Sequence, residues 1–215
     1  MWAAFPAPIQ TMKPLPLLIV LPILTAARGA TVLSNLTEPV TTTVLVKGTG
    51  GFIPTAQEYG FEFTVGGGDH QLDTITVGIG VHFGTLPLIV ELYESPLGPD
   101  SAVFVTALVG PSQPADQLAT YAPASPTELT DGSTYFLRFW VNGNASSYGI
   151  QKTNPVASGT FAMGGNYQRT AGDSWGSGTH GNETLAEITA TPIPEPAVWL
   201  SGGLGTLIVL RRRRA

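Results

Sequence analysis

Through the middle of the chain apolar side chains recur at every second position in short runs, the period of a strand with one buried and one wet face. The clearest run is Leu72 to Phe83, where Ile75, Val77, Ile79, Val81 and Phe83 alternate with Thr74, Thr76, Gly78, Gly80 and His82. The first set is predicted to face the core and the second, His82 included, to face solvent. The same reading predicts strands near Thr41 to Val46, Tyr59 to Val65, Leu88 to Tyr93, Ala102 to Leu108, Thr134 to Val141 and Thr184 to Thr189. Phe61, Phe63 and Val65 form one inward set, and Tyr135, Leu137, Phe139 and Val141 another. No segment sustains a helical period, and 26 glycines with 18 prolines cut the chain into pieces short enough for strands. A single open sheet would leave one apolar face uncovered. The expected fold is therefore all-β, one antiparallel β-sandwich of jelly-roll type.

Both ends depart from this pattern. Lys13 precedes the apolar run Leu15 to Leu24, and Thr25-Ala26-Ala27 or Ala27-Arg28-Gly29 offers small residues for cleavage, so residues 1–29 read as a secretory signal peptide. Residues 1–11 carry no charge, which makes Met12 an alternative initiator. At the other end Pro194-Glu195-Pro196 is followed by the apolar run Ala197 to Leu210 and then by Arg211, Arg212, Arg213 and Arg214. Spanning a hydrocarbon core of about 30 Å at 1.5 Å per residue takes roughly 20 residues, more than this run provides. Gly202, Gly203 and Gly205 each cost a helix about 1 kcal/mol relative to Ala. A segment of that kind suits transient membrane contact at 197–210, with the arginines holding the end on the cytoplasmic side, better than a permanent anchor. Between the ends lies one domain, 30–190. Residues 191–215 are a Pro-rich stalk, kept extended by Pro192, Pro194 and Pro196, followed by the terminal signal.

Pro194-Glu195-Pro196, the apolar run and the Arg cluster together resemble the PEP-CTERM sorting signal of Gram-negative bacteria. That resemblance implies processing by a membrane exosortase and delivery to the cell surface or extracellular matrix. A second resemblance covers most of the 30–190 segment. Ser34-Asn35-Leu36, the strand Tyr59-Gly60-Phe61-Glu62-Phe63-Thr64 and the strand start Leu129-Thr130-Asp131-Gly132-Ser133-Thr134-Tyr135 are similar to the choice-of-anchor R domains of bacterial surface proteins. Asp173-Ser174-Trp175 fits the same arrangement. This likeness implies a displayed β domain and no catalytic residues.

Charge narrows the partners. The whole chain carries a net −5, but that figure counts Lys13, Arg28 and the four terminal arginines. Without them Lys47, Arg138, Lys152 and Arg169 stand against 15 carboxylates, a net of −11. A body so acidic is repelled by phosphate backbones, so nucleic acid is excluded as a partner. The chain has no cysteine, which rules out disulfides, thiol catalysis and thiolate metal sites. About 165 residues remain after processing, enough for one domain to bury roughly two thirds of its unfolded surface.

Few motifs carry chemistry. Gly172-Asp173-Ser174-Trp175-Gly176 has the letters of a hydrolase nucleophile elbow, but no helix follows it. His180 and then Glu183 reverse the expected acid-then-histidine order, so it reads as a polar loop. His70, His82 and His180 lack a paired ligand spacing. Asp69 and Asp73 sit in a glycine-rich turn unlike any EF-hand loop, and calcium takes six to eight oxygen ligands. Gly78 to Gly84 reads as strand, not as a dinucleotide loop. No cofactor or enzymatic function is expected. Two functions are compatible with these residues. One is a structural or adhesive surface protein. The other is a module that binds extracellular polysaccharide, stacking sugars on Trp140, Trp175, Tyr148 and Tyr167, with Trp140 opposite the core set and both tyrosines in glycine-rich loops.

Overall fold

The computed structural model describes residues 29–48, 55–114, 117–143, 146–154, 157–177 and 183–194, with the side chain of Val81 left out. Within them the chain is all-β. The strands are β1 (Ala30–Ser34), β2 (Thr42–Lys47), β3 (Gln57–Thr64), β4 (His70–Phe83), β5 (Ile89–Glu94), β6 (Val103–Val109), β7 (Gln117–Pro123) and β8 (Glu128–Leu129). They continue with β9 (Thr134–Trp140), β10 (Ser147–Thr153), β11 (Ser158–Gly159), β12 (Ala162–Thr170), β13 (Gly176–Ser177), β14 (Glu183–Thr184) and β15 (Ala186–Pro192). A single 3-10 turn, Pro99–Ser101, is the only helical element among the described residues.

Eight strands close into an antiparallel barrel in the order β4-β7-β6-β5-β9-β3-β2-β10, with β10 returning to β4. Two of its joints are thin. β2 meets β3 at the single pair Lys47↔Gln57, and β6 meets β7 at Leu108↔Pro123 and Val109↔Ala122. The length of β4 lets it serve two neighbours on one side. Its residues 70–77 pair with β15, which carries β1 beyond it, and its residues 79–83 pair with β10.

The expected inward sets fill the interior. Ile75, Val77, Ile79, Phe61, Phe63, Val65, Tyr135, Leu137, Phe139 and Val141 are all buried. Each such side chain contributes about 1.5–3 kcal/mol relative to an exposed one. The aromatic members stack across strands, Phe61 on Phe139 at 6.2 Å and Phe63 on Tyr135 at 5.8 Å between ring centroids.

The alternation fails at the end of β4. Phe83, expected inside, is 71% exposed, and His82, expected on the wet face, stacks its ring on Tyr148 at 4.4 Å. The register explains the swap. Ile150 pairs with Ile79 but Tyr148 with His82, so two residues of β10 span three of β4, and this bulge exchanges the faces of everything beyond it. The tyrosines placed in loops also move. Tyr148 lies in β10 and is fully buried, and Tyr167 lies in β12. The expected stalk begins later, because Ala190, Thr191 and Pro192 pair with Leu72, Gln71 and His70 and the Ile193 N–H donates to the Asp69 carbonyl. No helix among the described residues is long and apolar enough to cross a membrane. Residues 1–28 of the expected signal peptide, Glu195, Pro196, the apolar run 197–210 and Arg211 to Arg214 lie outside the described residues.

Candidate aromatic and ionic site on the outer sheet face

Among the described residues, the face of β12-β3-β9-β5 turned away from the core holds the three ion pairs of Arg138 and Arg169. Strand alternation places them there. While Tyr59, Phe61 and Phe63 point inward, Glu58, Gly60 and Glu62 point out, and the register sets Arg169 beside Glu58 and Arg138 beside both Gly60 and Glu91.

Glu58 is only 5% exposed, a position in which an unpaired carboxylate costs several kcal/mol. Its Oε1 accepts from Arg138 Nη2 at 2.8 Å, and its Oε2 accepts from Arg138 Nε at 2.9 Å and Arg169 Nε at 2.8 Å. Arg138 thus grips the carboxylate with a two-pronged fork, the strongest common geometry for the pair. Its Nη1 donates to the Tyr93 hydroxyl at 3.1 Å and to Glu91 Oε2 at 3.3 Å, and that same oxygen accepts from Trp140 Nε1 at 2.9 Å. Burial by itself pulls the guanidinium toward neutrality, but the hydrogen bond and charge of Glu58 outweigh it and the pKa of Arg138 is raised. Burial raises the pKa of Tyr93 as well.

One residue pair further along, Glu62 accepts from Ser95 Oγ at 2.8 Å and from the Tyr167 hydroxyl at 2.8 Å. The Tyr167 pKa is pushed up to about 12, first by burial and then by the Glu62 carboxylate. Rings cover the charges. The Arg138 guanidinium lies 4.8 Å from the Trp140 ring and that of Arg169 4.5 Å from the Trp175 ring, both within cation–π range. Phe136 meets Trp175 edge to face at 4.8 Å, and the Trp175 backbone N–H donates to Asp100 Oδ1 at 2.9 Å. Tyr93, Asp100, Phe136, Arg138, Arg169 and Trp175 surround a cavity of about 150 Å³.

Of the four aromatic residues singled out in the sequence, Trp140, Tyr167 and Trp175 share this face. Tyr148 does not, since its ring is in the core and its hydroxyl donates to the Leu86 carbonyl. Pro194 is the last described residue and is exposed. Glu58, Arg138, Arg169, Tyr93 and Phe136 were missed by the sequence reading. Arg138 carried a signal, because a cation between Leu137 and Phe139 in a strand has to face outward.

The other motifs lie apart. Asp69 Oδ1 accepts the Asp131 N–H and Asp131 Oδ1 accepts the Gly68 N–H, so these carboxylates tie two turns together. Asp73 accepts from the Thr191 hydroxyl at 2.9 Å. Ser174 sits in an exposed turn opened by an Asp173 N–H to Thr170 carbonyl bond and followed by β13, not by a helix. Among the described residues no three His, Asp or Glu side chains converge as metal ligands.

Chemically the outer face offers matched charges and half-buried rings. With Glu58 held by two arginines, it is arranged to hold its own shape. No protein family matches the chain, and no curated protein matches it.

Proposed function

We propose that this chain is an exported bacterial surface protein, a structural or adhesive β domain delivered to the outer envelope or extracellular matrix and processed at its PEP-CTERM-like tail by an exosortase. The observation that carries the reading is the position of the two sheet termini. Ala30 and Ala190 are directly opposed in β1 and β15, so the first and last strands close the sheet just inside the two segments read from the sequence as removable. Removal of residues 1–29 and of the chain beyond Pro194 costs the sheet none of the pairings described above.

The sandwich expectation belongs to the same proposal. The thin β2–β3 and β6–β7 joints divide the ring into a β6-β5-β9-β3 layer and a β7-β4-β10-β2 layer, the two faces of a flattened jelly-roll-like body. A test of the surface reading is protease shaving of intact cells of a Gram-negative host that carries an exosortase. Accessible parent protein, with retention in the inner membrane when Arg211 to Arg214 are replaced by Ser, supports it. Parent protein found only in the cytoplasm contradicts it.

A second reading, a carbohydrate-binding module, is favoured by the cavity beside Trp175. Its aromatic contribution comes from Trp175 on the outer sheet face, with Tyr148 removed from the set.

A further inference from the structure

We propose that the cavity between Trp175, Arg169 and Asp100 is a binding site for one neutral pyranose unit of a glycan chain. This inference rests on the carbohydrate-binding reading and specifies its site and ligand. The protein groups around the cavity are unevenly satisfied. Arg138 spends its donors on Glu58, Glu91 and Tyr93, whereas Arg169 uses only Nε and leaves both Nη groups without a protein acceptor among the described residues. Asp100 is exposed and uses one carboxylate oxygen on the Trp175 backbone N–H, leaving the other. A donor fork and a carboxylate oxygen on one cavity suit neighbouring hydroxyls, each of which both accepts and donates. Trp175, half-buried, offers ring surface to the C–H face of a sugar, with the buried Phe136 edge-on behind it.

Local charge selects the class. Arg138 and Arg169 face Glu58, Glu91 and Asp100, two cations against three carboxylates, within a body already strongly acidic. A uronate or sulfated sugar gains no net attraction there, and a cationic one meets two guanidinium groups at the wall. A neutral hydroxylated ring avoids both penalties. The cavity of about 150 Å³ has room for one ring, so recognition is of a single unit or chain end.

The test uses the full chain on a glycan array that includes neutral, uronate-bearing and sulfated oligosaccharides, with titration of the best hit against parent, Trp175→Ala, Asp100→Ala and Thr76→Ala proteins. Asp100 is exposed, so its variant folds even where Trp175→Ala is destabilised. The expected result is a neutral oligosaccharide whose binding weakens about tenfold or more in both cavity variants, a change of at least about 1.4 kcal/mol, and is unchanged in Thr76→Ala. Preference for acidic glycans overturns the ligand class. Neutral binding that survives both cavity variants overturns the site while leaving the module reading intact. A parent protein that binds nothing on the array overturns both.

Discussion

The ring of Phe136 occupies the space that a Cβ on Gly60 would need, with Phe136 Cε2 2.6 Å and the Leu137 carbonyl oxygen 2.5 Å from that position. Glycine at 60 is therefore what lets the Phe136 ring lie flat across β3 and hold Trp175 against the sheet. Gly60→Ala is expected to lower stability by about 1–3 kcal/mol, the usual cost of overpacking, and to blue- or red-shift Trp175 emission as the ring is displaced. Urea denaturation with tryptophan fluorescence checks both. A variant as stable as the parent, with unchanged emission, contradicts the packing described.

Ile79 and Thr76 test the register of β4. Ile79 is fully buried, while Thr76 shares an exposed hydroxyl hydrogen bond with Thr120 at 2.9 Å. Ile79→Asp places an unpaired charge in the core at a cost of several kcal/mol, against a total stability of about 5–15 kcal/mol, and is expected to abolish the cooperative unfolding transition. Thr76→Ala should shift stability by no more than about 0.5 kcal/mol. Equal tolerance at both positions, measured by circular dichroism melts, refutes the assignment of faces.

Tyr148 separates packing from ligand contact. Buried in β10 and stacked on His82, it is expected to cost about 3–5 kcal/mol on truncation to Ala, with no glycan affinity at stake beyond that lost by unfolding. Chemical denaturation gives the answer directly, and a change under about 1 kcal/mol would place the ring elsewhere.

How much of this was legible depends on what alternation can carry. β3, β4 and β9 announce themselves because large apolar and polar residues alternate cleanly, and their inward sets follow. β10 does not, since its inward positions Tyr148, Ile150 and Lys152 include a fully buried cation, whose ammonium lies 5.8 Å from the Tyr59 ring and whose pKa is lowered by burial against the opposing pull of Glu183. β12 is hidden for another reason: flanked by β3 on one side and, among the described residues, by no more than the two-residue β13 on the other, and containing Gly164 and Gly165, it is nowhere fully buried and shows no two-residue contrast. The swap of His82 and Phe83 is invisible in sequence, because a bulge is a property of pairing. The site follows the same rule. Trp140 could be assigned outward from β9 alone, but joining Glu58, Arg138 and Arg169 required knowing that β3, β9 and β12 are neighbours.

Alkaline pH tests the buried phenols. Burial raises the pKa of Tyr59 and Tyr121, and Tyr167 reaches about 12, all above the ordinary value of 10.0. Between those values the unfolded chain has released protons that the folded chain retains, so stability is complete below pH 10 and falls as pH rises through 12. Phenolate absorbance should lag behind six free tyrosines and then rise together with loss of the circular dichroism signal. Titration of Tyr59, Tyr121 and Tyr167 near pH 10 with the fold intact would contradict these placements.

Export with removal of both ends is the proposal on which the rest depends, and its sharpest test is mass spectrometry of the protein recovered from the surface or medium of an exosortase-bearing host. The predicted result is an amino terminus between Thr25 and Thr31 and no peptide containing Arg211 to Arg214. Recovery of surface protein with the arginine tail intact would contradict the sorting reading and leave a tail-anchored domain in its place.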